Sequence, residues 1–450
     1  MTVCWRVKNK FSKFVFIVSI SMLWIFLIFA LSGCSTVPLV DSGAPIGSSS
    51  PTPTAEPARE NLRLISAQGG PIFTGISGTK NGGYEIFAHT DATADIIYYD
   101  YQTLQKIYLS SSPNETHNEN STAYLDNVMG GAVALASEKC LYILKAGSNA
   151  IGGGTDLAPY LLRMDLDGSN RERFDIPGQY ELDVASAVAA DDTGLYIALH
   201  VIEDLKTDQS RYMIAKVDFD HKKLEELYRF DSWQSVRIVG TYSYGLILES
   251  VKNIKSGTAI QKETLLFNLN SNQAKEIKEW KAGDVGVAYD RDAMYLLKSD
   301  DLTLYRSALY PDSAGPEEKV IDCTDLIPDT YTGIALDRAV YDRHLIFQIT
   351  SEQSGVEPLY LSLTLDGLET REMRLMCKRN GEEQLATIMQ ETDTHFVVYY
   401  GEEAISYLDK GPGGEPYEMT QYVPSYRLIE KTAYWENIPD FMAFEDHVLK

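Results

Sequence analysis

Six short apolar runs recur along this chain at a nearly constant interval, and that repeat limits the possible folds more than any other feature. They are Leu141-Tyr142-Ile143, Leu195-Tyr196-Ile197, Leu246-Ile247-Leu248, Met294-Tyr295-Leu296, Leu345-Ile346-Phe347 and Phe396-Val397-Val398. Their central residues lie 54, 51, 48, 51 and 51 positions apart. Each follows a short polar or turn segment: ASEK, DDTG, TYSYG, DRDA, DRH or ETDTH. Each of those follows another small or apolar run: GAVAL, VASAVA, VRIVG, VGVAY, TGIAL or LATIM. The order reads as strand, tight turn, strand.

Most units continue with a third strand: YLLRMDLDG (160–168), YMIAKVDFD (212–220), TLLFNLNSN (264–272) and LYLSLTLDG (359–367). Asp167-Gly168 and Asp366-Gly367 are expected as two-residue hairpin turns of type I′, with both central residues at positive φ. A fourth run closes several units, such as RERFDI (171–176) and KLEELYRF (223–230). Val, Ile, Tyr, Leu and Phe dominate these runs, and few segments show helical spacing. Four strands per unit of about 50 residues predict an all-β chain folded as a β-propeller. A twisted four-stranded sheet cannot bury both faces alone, and radial stacking buries them. Tyr84–Phe87 and Ile96–Tyr101 supply a further unit, so about seven four-stranded blades are expected, with six or eight as alternatives. The terminal stretch YRLIEKTAYWENIPDFMAFEDHV is expected to give a strand to the first blade and close the ring. An array of two-sheet sandwiches is the structural alternative.

The segment before the repeats has a different composition. Arg6, Lys8, Lys10 and Lys13 precede an uncharged run, FVFIVSISMLWIFLIFALSG (14–33). A basic start followed by an apolar run is an export signal. Leu31-Ser32-Gly33-Cys34 resembles the bacterial lipobox, in which a diacylglycerol is placed on the cysteine and the peptide is cut before it. Residues 1–33 are thus expected to be a lipoprotein signal peptide, with Cys34 as the lipidated N-terminus. An uncleaved membrane helix is the alternative, since about 20 apolar residues span a bilayer. Either reading places the rest of the chain outside the cytoplasm on a tether. Residues 34–60 are rich in Ser, Pro, Thr and Gly and are expected to be a disordered spacer. Residues 61–450 are expected to form the propeller.

DIIYYDYQTLQKIYLSSSP (95–113), the DDTGLYIA-type strand starts and the terminal YRLIEKTAYWENIPDFM carry a family resemblance. Together they resemble a group of lipoproteins from low-GC Gram-positive bacteria (Firmicutes-type). That group carries a propeller-like domain distantly similar to the receptor-type propeller with YWTD repeats. The resemblance covers most of residues 80–445. In that group a segment after the first blade often carries several cysteines around a Pro-Asn and a His. Here Pro113, Asn114 and His117 are present, while the cysteine-like positions hold Ser110, Glu115 and Ser121. This departure removes the cysteines on which a disulfide or metal role of that segment would rest. The group has no settled activity, so the resemblance implies a fold and a location rather than a reaction.

The formal net charge is −24. The signal segment holds four basic residues and no acid, so the remainder carries −28. Such a charge opposes nucleic acid and anionic lipid surfaces. Cys140, Cys323 and Cys377 are left once Cys4 leaves with the signal and Cys34 is lipidated. An odd number without a CxxC pair suggests small buried hydrophobes, with one disulfide plus a free thiol as the alternative.

There is no HExxH, GxSxG, P-loop or GxGxxG. His344 and His395 fall at equivalent repeat positions and read as turn residues starting strands, or as a pair near one rim. Asp165, Asp167 and Asn170 open like a calcium loop, but Ile176 occupies the position that needs a glutamate, so a turn is expected. Asp290 and Asp292 flank Arg291, and Asp191 and Asp192 precede Gly194; both pairs read as turns. The two sequons at Asn114 and Asn120 carry no weight beside a bacterial lipobox. No catalytic, cofactor-binding or metal-binding residue is assigned, and no cofactor is expected. The expected role is a lipid-anchored, extracellular, non-catalytic module binding a protein, peptide or cell-wall glycan. A hydrolase or lyase acting on a wall polysaccharide is the alternative, and a structural accessory of a membrane complex is a further one.

Overall fold

Each of the six repeating runs forms the second strand of an antiparallel four-stranded sheet, and a seventh sheet precedes them. The computed structural model describes residues 57–66, 75–89, 91–112, 119–147, 158–182, 186–204, 209–231, 234–253, 260–281, 283–379, 382–410 and 415–448. Cys34, the signal segment, most of the spacer, Pro113, Asn114, Glu115 and His117 lie outside them.

Blade 1 comprises Ser77–Gly78, Gly82–Ala88, Ala94–Asp100 and Gln105–Tyr108. Blade 2 comprises Ala132–Ala136, Leu141–Lys145, Tyr160–Met164 and Glu172–Asp175. Blade 3 comprises Val188–Asp191, Gly194–Asp204, Gln209–Asp218 and Lys223–Arg229. Blade 4 comprises Gln234–Tyr242, Gly245–Asn253, Ile260–Asn268 and Gln273–Glu279. Blade 5 comprises Asp284–Asp290, Ala293–Lys298, Thr303–Tyr310 and Glu318–Asp322. Blade 6 comprises Gly333–Leu336, His344–Thr350, Leu359–Thr364 and Thr370–Met373. Blade 7 comprises Ile388–Glu391, His395–Lys410, Pro416–Glu430 and Met442–Ala443.

The core lies between blades. Leu141, Ile143 and Ala134 of blade 2 pack on Tyr84 and Ile96 of blade 1. Leu195, Ile197 and Leu199 of blade 3 pack on Leu144 and Leu161 of blade 2. The same arrangement repeats around the ring. It returns to the start: Ile76, Ile97 and Tyr99 of blade 1 share a cluster with Ile388, Val397 and Tyr426 of blade 7. Sheets that bury both faces against successive neighbours, last against first, form a closed seven-bladed propeller and exclude the sandwich array.

The terminal stretch gives a strand to the first blade, as expected, though a short one. Its YRLIE portion ends the third strand of blade 7, and Lys431–Trp435 forms one helical turn. Glu445–Asp446 then adds to blade 1, pairing in parallel with Gln105 and Lys106. Side chains reinforce this short seam. Lys106 Nζ donates to Asp446 at 3.0 Å, and Phe444 stacks edge-on against Tyr99 at 5.2 Å.

Behind the seam, the Tyr99 hydroxyl donates to the buried Glu85 carboxylate at 2.7 Å. Burial holds the Glu85 carboxyl above its ordinary range, against the pull of Tyr99 and Lys106. A raised carboxyl binds its proton more tightly in the folded state. Stability therefore falls as pH rises from the unfolded value through the folded one. Glu85→Gln should match the wild type below about pH 4 and be more stable at neutral pH by about 1 kcal/mol. Urea unfolding at the two pH values checks this, and an unchanged pH slope would count against it.

The two Asp-Gly turns also differ from expectation. Positive φ falls on Gly168 (86°) and Asn170 (52°), and in the other turn on Leu368 (52°), so neither is type I′. The strands stop earlier, at Met164 and Thr364, which leaves longer loops. Such loops place a left-handed residue at their end. Leu104, Asn170, Lys222, Asn272 and Leu368 all hold that position before a fourth strand.

Arg63–Ile65 pairs antiparallel with Val188–Ala190, on the channel side of the innermost strand of blade 3. The preceding residues, Pro57–Glu60, have spacer composition but bind the ring. The Arg59 guanidinium donates to Asp191 at 2.8 Å, the Tyr196 hydroxyl at 3.1 Å and the Leu269 carbonyl at 3.1 Å. Arg291 in turn donates to the carbonyls of Arg59 (3.0 Å) and Glu60 (3.1 Å). Polar contacts with the turns of blades 3, 4 and 5 supply what the segment lacks in apolar surface.

Candidate functional site

The turns between first and second strands gather on one face of the ring, together with those between third and fourth strands. A cavity of about 660 Å³ opens there. Its walls come from the Ala136–Cys140 turn of blade 2, the Ala190–Leu195 and Val217–Asp220 turns of blade 3, and Asn61–Ile65. Gly78 of blade 1 and Glu391 of blade 7 complete the rim. The inserted strand therefore forms one wall of the cavity.

The walls are highly charged, and most of their charges are engaged. Lys139 pairs with Asp192, whose other oxygen accepts from Asn61 Nδ2 at 2.6 Å. Arg163 bridges Glu172 at 2.5 Å and Asp220 at 2.6 Å, and its guanidinium lies 5.0 Å from the Phe219 ring centre. Lys431 holds Glu391 at 2.7 Å. Burial pushes the Asp191 carboxyl up, but bonds from Thr193, Tyr196 and Arg59 hold it below the usual range. Lys139 and then Asn61 lower Asp192. The His221 backbone N–H and then its ring lower Asp218. These three carboxyls stay ionised at neutral pH. They can orient hydroxyls, amides and cations, and they are poor proton donors.

The residues singled out in the sequence fall as follows. Asp191 and Asp192 are turn residues, since Asp191 Oδ1 accepts the Thr193 N–H at 2.8 Å, and they also line the cavity. Asp290 accepts the Arg291 N–H at 2.7 Å, and Asp292 accepts the Ser243 hydroxyl at 2.6 Å; both serve turns. Asp165 and Asp167 accept from Asn170 and Ser169 within their own turn. His344 and His395 each start a second strand. His344 stacks on Trp435 with ring centres 4.0 Å apart. Ser110 donates to the Ser112 carbonyl at 2.6 Å, and Ser121 Oγ accepts the Tyr124 N–H at 3.2 Å.

Among the described residues, Cys140, Cys323 and Cys377 form no disulfide. Cys323 and Cys377 are buried, and burial pushes the Cys323 thiol up to about 11. Cys140 departs from the expectation of a buried hydrophobe: it is half-buried and lines the cavity. Its turn is tied by Ser137.

No local pattern marks the cavity, because its walls come from residues 61 to 220 and from Glu391, joined only by the ring. Among the described residues no His, Cys, Asp and Glu group has metal-site geometry, and no helix is long and apolar enough to cross a membrane.

No family model matches this chain, and no curated protein does either. Solved structures give distant likenesses. An oligogalacturonate lyase in complex with manganese is 11% identical over 81% of this chain and 90% of its own, with a TM-score of 0.41. TolB from Acinetobacter baumannii is 11% identical over 80% of this chain and 77% of its own, at 0.32. The β-propeller domain of the Trilobed protease from Pyrococcus furiosus is 10% identical over 65% of this chain and 97% of its own, at 0.34. Likeness this distant carries no activity over to this chain.

Proposed function

We propose that this chain is a lipid-anchored, extracytoplasmic β-propeller that binds a protein, peptide or cell-wall glycan at the channel mouth without transforming it. The carrying observation is the engagement of three of the six carboxyls that line the mouth. Asp191, Asp192 and Asp218 all lie below the ordinary range and are already hydrogen-bonded. A general acid for glycoside cleavage needs a raised pKa instead. Ionised carboxylates beside Lys139 and Arg163 suit a ligand that offers both donors and acceptors. Cys34 at the end of the apolar run supplies the anchor in this reading, at the outer face of a bacterial cell membrane. The resemblance to Gram-positive lipoproteins with a YWTD-like ring supports the same location.

The hydrolase or lyase reading finds one supporting group. Asp337 has a raised carboxyl and lines a cleft between blades 6 and 7. No second carboxyl lines that cleft among the described residues, so the usual acid–base pair is missing.

The test is a thermal-shift screen of the full chain in detergent micelles, with peptidoglycan fragments, wall glycans and peptides. A ligand at about 100 times its Kd adds ~2.7 kcal/mol to stability. We expect a shift with one class, reduced by Arg163→Ala, and no turnover of the bound ligand. Turnover of that ligand would replace the binding reading with the enzymatic one.

A further inference from the structure

Away from the channel mouth, the cleft between blades 6 and 7 has the chemistry of a second site. It encloses about 250 Å³. At about 30 Å³ per liquid water, that is room for roughly eight waters, or a ligand of about nine non-hydrogen atoms. Its floor is apolar: Leu336, Ile346, Leu385 and Ile388 are buried, and Tyr434 is closed off with its hydroxyl donating to the Ala386 carbonyl at 2.8 Å. Its polar lining comprises Asp337, at the end of the inner strand of blade 6, the amide side chains of Gln348 and Gln384, and the hydroxyl residues Tyr360 and Thr387.

Among the described residues, Asp337 is the only ionisable acid or base in these walls apart from tyrosine hydroxyls. One of its oxygens accepts the Arg338 N–H at 2.6 Å. The Arg338 side chain turns elsewhere, lying 3.6 Å from Glu249 of blade 4. Among the described residues, no Lys, Arg or His forms an ion pair with Asp337. A carboxylate drawn out of water without a cation is costly, and a bound cation would offset that cost. The Gln348 amide donates to the Tyr360 hydroxyl at 3.2 Å, which leaves its carbonyl for a donor. The Gln384 side chain makes no hydrogen bond to the described protein. The strongly negative charge of the whole chain further favours cations over anions.

We propose that this cleft binds a small organic ammonium, with the ammonium on Asp337 and an amide or hydroxyl at the far end on Gln348 and Gln384. An apolar methylene spacer between the two polar ends would lie on the Leu336–Ile388 floor. This site is independent of the mouth cavity, so either can fail without the other.

The probe is 6-aminohexanamide, titrated calorimetrically into the full chain in detergent micelles. The control is 6-hydroxyhexanamide, which has the same atom count and no charge. We expect saturable binding of the amine with a Kd of about 1 mM, and binding of the alcohol at least about tenfold weaker. Asp337→Asn keeps the shape and the backbone acceptor, and should weaken the amine about tenfold while leaving the alcohol unchanged. No saturable binding of the amine overturns the proposal. So does equal binding of amine and alcohol to the wild type, which needs no variant to fold. Full retention of amine binding by Asp337→Asn overturns it as well.

Discussion

Replacing Arg59 with alanine should lower unfolding stability by about 3 kcal/mol and release residues 57–65 from the ring. The guanidinium makes four hydrogen bonds, to Asp191, Tyr196, the Leu269 carbonyl and Asn270 at 3.1 Å. The Asp191 side chain is only 7% exposed, so its charge is poorly hydrated without Arg59. Thr193 and Tyr196 still donate to it, which limits the loss. The pH dependence has a definite sign. The Asp191 carboxyl is lowered in the folded state, so its contribution is present above the unfolded carboxyl value near 3.9 and is lost as pH falls below it. Arg59→Ala should flatten that acid limb. Trypsin provides a second readout, because Arg63 sits in the inserted strand and a paired backbone resists cleavage. Faster cutting after Arg63 is expected, and an unchanged midpoint with unchanged cutting would show that Arg59 does not hold the strand.

The same residues show why this part of the fold was hidden in the sequence. Second strands were legible because both of their faces are covered. Leu195, Tyr196, Ile197, Ala198 and Leu199 are all buried, so they read as an unbroken apolar run. Their spacing then revealed the ring. Arg63–Ile65 is three residues long, and its partner strand begins 123 positions later, at Val188. No local pattern marks such a pairing. Its anchoring bonds are as distant: Asn61 meets Asp192 across 131 positions.

The mouth and the cleft were illegible for a related reason. Asp337 reads locally as a turn residue after TGIAL. Gln384 and Tyr434 share its cleft only after the chain beyond blade 6 folds back against that blade. Turn type failed differently. Asp-Gly suggests a two-residue turn, but loop length follows from where the blade's pleat ends, and Leu368 then takes the left-handed position. Blade 7 shows the limit of the repeat itself. Its FVV run marks the second strand, yet pairing continues from His395↔Glu430 to Lys410↔Pro416. The outer half of this ribbon carries Leu408 at 75% exposure and Tyr422 at 71%. Nothing in the six-fold spacing foreshadows an arm on one blade.

Lys252→Met should cost about 3 kcal/mol, because it strands a buried charge in blade 4. Glu263 is fully buried, and its Oε1 accepts from Lys252 Nζ at 2.7 Å. The lysine itself is 39% exposed, so the pair is open on one side and the effect sits at the lower end of the range for buried pairs. The other oxygen, Oε2, faces no nitrogen or hydroxyl donor. Its neighbour is the Glu276 carboxyl, which burial first and Glu263 second hold above the ordinary range. When protonated, Glu276 becomes the missing donor. A raised carboxyl favours the folded state at low pH, and the benefit fades as pH rises through the folded value. The loss on Lys252→Met should therefore be smallest in acid and grow toward neutral pH, where both glutamates carry charge with no cation between them. The double variant Lys252→Met/Glu263→Gln removes the stranded charge and should recover most of the stability. Urea midpoints at two pH values distinguish the outcomes. A loss below about 0.5 kcal/mol for Lys252→Met would mean that the pair behaves as an ordinary surface contact, and that no buried charge is stranded when the lysine is removed.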